Sequence, residues 1–510
     1  MLPIVPLSGS PGKTHLAARA DHGPTAPRPP RFLGYRGSAR FRDALGMVLD
    51  TAAREPLGST LIDELRAAVA GAVLGPGDPE WDAARLPWNR LVDQQPLALV
   101  VAAGAADVAA TVRWAARNGV AVSAQPNGHG ASAALDGAVV VRTAALDDIW
   151  VDADAHVARV GAGVRWGDLQ TALDGTGLTG LVGSNPDVTV VGSSLCGGLS
   201  WFSRAYGPGA ASIRAAEVVD ADGELRWVRP DDAADADLLW ALRGGGGEFA
   251  LVTSLELDLH PAPRIYGGLL GYPAEAAGSV LRAFLDVTRS APEELTAWFT
   301  LMHLPDAPFV PAEMRGSSLA VVTATYLGDA EFGERLLAPL RAAGPVLRDT
   351  FRSVAPGEVG LLAEEPVDPV PAVLAGTRLH GFDDGAVDAL LRVAGAGSGT
   401  PLLQVQLRHT GGALARERVP AAAGTADEPY LLTGLTIVPS PDLAPLVSAA
   451  LDQLLGTFAP WSTGTVPLTF LDRDESIRRA YPAATVDRLK AVKAAVDPAG
   501  TFRGNRPVDA

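Results

Sequence analysis

The placement of glycine constrains this 510-residue chain more than any other feature. Glycine and small polar residues gather in QPNGHGAS at 125–132, in VGSSLCGGLSWFSRAYG at 191–207, and in a run of four at 244–247 after LLWALR. A residue without Cβ reaches backbone conformations closed to others and lets another surface come close to the main chain. The first loop directly follows the strand-like VAVSA and sets His129 between Gly128 and Gly130. Successive amides in such a loop can cradle a pyrophosphate without side-chain bulk in the way. From this string alone, a tight turn with an exposed histidine reads equally well. The second stretch is too rich in Gly and Ser for a packed helix throughout and suits a ligand-covering loop. The third suits close packing against a flat ligand or another chain segment, and both also read as ordinary loops.

Around these loops the pattern is mixed helix and strand. LIDELRAAVAGAV has a helical period between Thr60 and Val73, broken by Pro76 and Pro79. PLALVVAAGAADVAATVRWAARNGVAVSAQ reads as strand, turn, helix and strand, with Asp107 in the first helical turn. Short β-rich runs follow from Ala138, WGDLQTALDGTG reads as a helix, and the ADG turn of IRAAEVVDADGELRWV marks a hairpin. After His260-Pro261-Ala262-Pro263 longer strands alternate with helices to about Thr457, and RLKAVKAAVDPAG forms a helix stopped by Pro498.

Composition narrows the function classes. With 47% hydrophobic and 20% charged residues, the chain has material for two or three packed domains. A net charge of −16 repels phosphate backbones and anionic membrane surfaces, so neither nucleic acid nor membrane is an expected partner. No apolar run approaches the roughly 18 residues of a membrane span. The N-terminal stretch shows no secretory signal, and the lone Cys196 forms neither an internal disulfide nor a zinc site, so no metal and a reducing cytoplasm are expected. Without a basic neighbour Cys196 reads as a packing residue. GxSxG, HExxH and P-loop motifs are absent from the sequence. VGAGVRWG at 160–167 resembles a dinucleotide fingerprint, which would suit a nicotinamide dehydrogenase, but no acidic residue closes a second strand about 20 residues later. A turn into a helix is the preferred reading there.

Taken in order, GDPEWDAARLPWN, the NGHG loop, GGLSWFSRAYG, AEVVDADGEL, LLWALRGGGGEFALVTSLELDLHP, QLRHTGGALAR and RLKAVKAAVDPAGTFRGN resemble the berberine bridge enzyme-like FAD oxidases. These belong to the vanillyl-alcohol oxidase and p-cresol methylhydroxylase (PCMH) type of FAD-binding superfamily. The resemblance spans about Gly77 to Val508. It implies an α+β fold with a two-subdomain FAD-binding domain over 58–265, rejoined by a C-terminal segment at 458–510. A substrate domain at 266–457, an antiparallel sheet flanked by helices, stands between them, and residues 1–57 form an irregular arm. The family histidine that bonds the flavin 8α-methyl carbon corresponds to His129. FAD contacts are further implied for Pro126, Asn127, Gly128, Gly130, Ala131 and Ser132 of that loop. Others fall at Asn185, Thr189, Gly192, Ser194, Gly197, Gly198, Tyr206 and Gly207, at Val218 and Val219, and at Asn505. Relatives with a second flavin bond carry a cysteine where this chain has Asn185, and Cys196 stands too late to replace it. A single link through His129 is therefore expected.

The implied chemistry is hydride removal from a small hydroxylated or secondary-metabolite substrate to flavin N5, with oxygen reoxidising the flavin; nothing in the sequence sets an oligomeric state. Relatives that oxidise alcohols show Tyr-x-Asn-Phe or Tyr-x-Asn-Tyr near the C-terminus, and here the stretch is Pro467-Leu468-Thr469-Phe470. Loss of that tyrosine leaves the proton-removing group open and keeps alive an alternative, a flavin-holding scaffold whose oxidative site has decayed. LLQVQLRH alternates so that Gln404, Gln406 and Arg408 share one face and Leu403, Val405 and Leu407 the other. That polar face either lies over the flavin or is solvated. Thr469, Tyr206, Gln404, Arg408 and His409 are the candidate catalytic residues, with Asp472 a further candidate base.

Overall fold

A computed structural model describes residues 55–508 except 308–309, 311, 439 and 473–474. The expected arm therefore lies outside the described residues up to position 54. The helix expected from Thr60 to Val73 is Glu55–Ala68, and Ala72–Leu74 is instead a strand. Buried Asp107 explains the change. Its carboxylate accepts the amides of Ala70, Gly71 and Ala103 at 2.8–2.9 Å, which draws the chain out of the helix. A Cβ at Gly71 would stand 2.1 Å from the Val101 carbonyl, so only glycine lets the strand pass there.

The first part of the chain builds two sheets. Ala72–Leu74, Ala98–Val101, Val139–Arg142 and Val122–Ala124 pair in that order, the first junction antiparallel and the others parallel. The helix Ala105–Asn118 makes the crossover, and buried Val108, Val112 and Ala115 form its apolar stripe. The second sheet is antiparallel, in the order Ile149–Asp152, Val157–Gly161, Leu251–Asp258, Ile213–Val219, Leu225–Val228. Its ADG hairpin closes through Asp220, whose Oδ1 accepts the amides of Asp222 and Glu224, with Gly223 at φ +80°. The antiparallel pairing rules out a Rossmann reading of VGAGVRWG. Gly161 and Gly163 serve packing: an added Cβ would lie 2.2 Å from the Leu146 carbonyl or 2.3 Å from that of Thr143.

From Ile265 the chain builds a separate antiparallel sheet. Its strands run Arg348–Asp349, Ile265–Pro273, Ser318–Leu327, Leu295–His303, Gln404–His409, Tyr430–Ile437 and Ala372–Leu379, and Arg352–Val354 adds to the second of them. Alternation divides its two faces. Phe299, Leu301, Val405, Leu407 and Leu432 pack beneath the helices Ala277–Arg289, Ala330–Arg341, Asp384–Ala394 and Ala444–Phe458. Trp298 and Leu431 face the other way, into the core of the first part.

The chain then returns. Val486, Leu489 and Val492 of the helix Ala483–Val496, with Phe502 and Val508, join that first core. Phe502 bridges Val122 at the sheet edge, where the Val122 amide donates to Thr501 and the Arg503 amide to Val122. Buried Lys493 locks the turn, donating to Asp497 and to the carbonyls of Glu248 and Phe502.

Candidate active site

His129 stands at the end of the strand Val122–Ala124, where the chain turns through half-buried Pro126 and left-handed Gly128 (φ +84°). A Cβ at Gly128 would lie 2.6 Å from Pro87 Cβ, so the loop closes on LPWN only with glycine there. The amides of Trp88 and Asn89 donate to the carbonyls of Asn127 and Gly128. Among the described residues no acceptor meets the amides of Asn127, Gly128, His129 or Gly130, and Gly130 faces open space. These four successive donors are the cradle that an oxyanion requires.

The imidazole itself is held on two sides. Trp88 stacks on it with ring centroids 4.1 Å apart and planes 23° from parallel. Its Nε2 is buried without a hydrogen-bond partner, and Asp187 Oδ2 stands 3.6 Å away. Asp187 also binds Arg165 at 2.6 Å and accepts the Asn127 amide side chain on its carbonyl oxygen at 2.6 Å. Burial raises the Asp187 pKa, but His129, Arg165 and Asn127 outweigh it and hold the carboxyl below its ordinary value. Trp88, Arg165 and Asp187 are site residues that the sequence reading did not single out. Trp88 lies in the quoted LPWN segment, while nothing local marks Asp187.

The rest of the loop is tied to the C-terminal tail. Asn505 Oδ1 accepts the Ser132 amide and its carbonyl accepts the Ser132 hydroxyl, while Gln94 and Gln125 complete the buried network. Ser132 and Asn505 thus fix the loop's position, with the Ser132 amide already engaged. Ala131 is buried, its amide turned back to Gly128. Arg506 reaches from the Gly130 carbonyl to that of Leu471, joining the histidine loop to the segment that carries Thr469.

The second glycine stretch holds two short helices, Val190–Leu195 and Ser203–Tyr206, linked by left-handed Gly197 and Gly198. Thr189 is the residue before the first helix, and a Cβ at Gly192 would lie 2.8 Å from its hydroxyl. Ser194 Oγ is buried without a partner. Asn185 is engaged otherwise, donating to the Pro366 carbonyl and accepting the Asp187 amide. Val218 and Val219 sit in the first core on a strand paired on both edges. Burial pushes the Cys196 thiol up to about 11, which disfavours the thiolate. Of the four glycines, Gly244 and Gly245 pack against Ala423 and Leu489, whereas Gly247 is open.

Gln404, Gln406 and Arg408 share one face of their strand, where Gln404 is half-buried and Gln406 and Arg408 are buried against the core of the first part of the chain. Gln406 donates to Thr300 at 3.1 Å, and Arg408 Nε donates to Gln406. Trp201 of the glycine stretch stacks on Trp298 at 3.6 Å, the Arg408 guanidinium covers that ring at 3.7 Å, and Phe470 lies 4.8 Å beyond it. One stack therefore unites the glycine loop, the sheet and the C-terminal segment. Thr469 is exposed at a cavity rim with Gly198, Arg378 and Tyr481.

The structure separates two other candidates from this face. His409 follows Arg408 on the opposite side of the strand, against Tyr430, and burial lowers its pKa to about 3. The Tyr206 hydroxyl donates to the Pro261 carbonyl, its ring stacks on His260, and burial raises its pKa, so it is not a base. Gly207 turns the chain after it, at φ +89°. Asp472 accompanies Glu475 in the C-terminal segment.

This arrangement fits a flavin dinucleotide: four successive amides free to meet a pyrophosphate, a buried histidine nitrogen in the same loop, and a buried polar sheet face. Among the described residues no cluster of His, Cys, Asp and Glu could hold a metal ion. A family model described as "FAD binding domain" matches residues 96–229. (R)-6-hydroxynicotine oxidase of Paenarthrobacter nicotinovorans is 30% identical over 58% of this chain, and the match covers 64% of that enzyme. An FAD-linked oxidoreductase of Bacillus subtilis (strain 168) is 26% identical over 85% of this chain and 97% of its own length. The solved structure of the Physcomitrella patens berberine bridge enzyme-like protein 1 superposes with a TM-score of 0.75 at 21% identity, over 88% of this chain and 98% of that one. The chain therefore carries an FAD-binding domain, is similar to FAD-linked oxidoreductases, and has the fold of the berberine bridge enzyme-like proteins.

Proposed function

We propose that the chain is an FAD-dependent oxidoreductase that oxidises a small hydroxylated or secondary-metabolite substrate, with oxygen as electron acceptor and FAD held by one histidyl bond at His129. The carrying observation is a His129 whose buried Nε2 faces Asp187, in a loop of four successive amides without an acceptor among the described residues. Bound FAD supplies the hydride acceptor and relays electrons onward. The chain's own residues do the rest. Asp187 favours the tautomer with the proton on Nε2, which leaves the Nδ1 lone pair for the flavin, while Trp88 fixes the ring plane. The stacked face keeps bulk water from the substrate. At the rim, the Thr469 hydroxyl relays the substrate proton to solvent in place of the family tyrosine.

No described helix is long and apolar enough to cross a membrane, and the lone Cys196 fits a reducing cytoplasm. Relatives named as oxidases and oxidoreductases weigh against a decayed scaffold. The test is anaerobic mixing of the yellow holoprotein with a panel of alcohols, amines and hydroxylated metabolites. Bleaching of the flavin band by at least one class, reversed by air, is expected. A flavin that stays oxidised across the panel would favour the scaffold reading.

A further inference from the structure

Two buried arginines of the described structure, Arg204 and Arg243, are held by backbone carbonyl oxygens. Arg204 donates to those of Leu295, Thr410, Ala291 and Pro292, and Arg243 to those of Ile213 and Pro420. Two arginines depart from this pattern, and they share a row. Across five adjacent strands, on the face turned to the FAD-binding part, the register sets Thr323, Trp298, Arg408, Leu431 and Arg378 side by side. Arg408 is 7% exposed, sandwiched between Trp298 and Phe470, and only its Nε is engaged, with Gln406. Arg378 is only half-buried, and its guanidinium makes no hydrogen bond and no ion pair among the described residues. Burial lowers the pKa of both, to about 10 for Arg408, yet each remains a cation at neutral pH.

The acids that act on them are distant. Glu428 influences Arg378 and Glu365 influences Arg408, but neither comes within ion-pair distance. Arg378 and Leu431 line a cavity of about 60 Å³ with Gly198 of the glycine stretch and Leu468 and Thr469 of the C-terminal segment. That space accepts a head group rather than a whole substrate. A buried guanidinium and a half-buried one on the same face are unfavourable unless an anion completes the site, and a guanidinium edge matches a carboxylate in two parallel hydrogen bonds.

We infer that this cavity is the anchor for an anionic substrate, with Arg378 binding a carboxylate and Arg408 supplying a second positive charge from the same row. The inference rests on the FAD reading and adds the substrate's charge to it.

The experiment titrates the flavin-loaded protein with acetate and benzoate, and with acetamide and benzamide as neutral counterparts, following the visible difference spectrum of the flavin. The carboxylates should give saturable spectra and the amides should bind roughly 10–100-fold more weakly. Arg378→Met should raise the Kd for benzoate by a similar factor with flavin content unchanged, and Arg378→Lys should recover part of the loss. Equal binding of acids and amides, or an Arg378→Met protein with unaltered Kd, would overturn the inference alone. Protein that never takes up flavin would overturn it together with the cofactor reading.

Discussion

At His129 an imidazole is gripped by a tryptophan face and a carboxylate, in a loop of four backbone amides with no acceptor among the described residues. If Asp187 sets the tautomer, Asp187→Asn should slow covalent uptake of FAD by the apoprotein by about 100-fold, read as flavin mass on the intact chain, while non-covalent FAD binding persists. Unchanged uptake would remove Asp187 from that role. The sign of its pH dependence follows from its lowered pKa. The carboxylate's contribution is complete above its ordinary value near 4 and is lost as pH falls through the lower folded value. His129 was legible in the sequence because its glycine neighbours mark the loop locally. Asp187 and Trp88 were not, since they reach the histidine only through the close approach of 87–89 and 185–189 to that loop. Thr469 was found as a gap in a pattern, and its place at a cavity rim needed the fold.

Among the elements, the strand Gln404–His409 and the helix Ala483–Val496 do most to assemble the site. Alternation in LLQVQLRH identified the polar face, but a solvated face and one buried under another layer share the same pattern. What separates them is the docking of Trp201 and Phe470 onto Trp298 and Arg408, a contact between distant segments. The same period put His409 on the far side, where its chemistry is lost to burial. On the helix, Lys493 and Asp497 form a buried pair, and Asp497 also accepts the amides of Thr501 and Phe502. Lys493→Met should therefore cost about 3–5 kcal/mol in urea unfolding, because it strands a buried carboxylate. The same variant should loosen FAD binding, since the tail it anchors carries Asn505 and Arg506. A loss below about 1 kcal/mol would place the pair in the class of exposed ion pairs.

At the scale of the molecule, the chain leaves its first core near Ile265 and re-enters it with the last helix, so both ends of the described sequence stabilise one site. The change of texture after Pro263 precedes the strand Ile265–Pro273 of the second sheet, whereas the helix Ala483–Val496 lies beyond Thr457 and the parallel bridge of Phe502 to Val122 left no sequence mark. Two buried histidines bear on the stability of the whole. Burial holds His260 at a pKa of about 4 and His409 at about 3, below the unfolded value near 6.5. Below pH 6.5 the unfolded chain binds these protons and the folded one does not, so stability falls as pH falls, by about 2 kcal/mol per histidine at pH 5. The urea midpoint should drop between pH 7 and pH 5, and His409→Gln should flatten that drop. An identical pH slope in the variant would contradict the assignment.

The proposed link of FAD to His129 makes the whole chain a covalent flavoprotein. Its most direct measurement is the visible spectrum and intact mass of acid-denatured protein, wild type beside His129→Ala. Flavin colour and one FAD mass are expected on the wild-type polypeptide, and free flavin released from the variant. Colourless wild-type protein with no added mass and no uptake of FAD would contradict it.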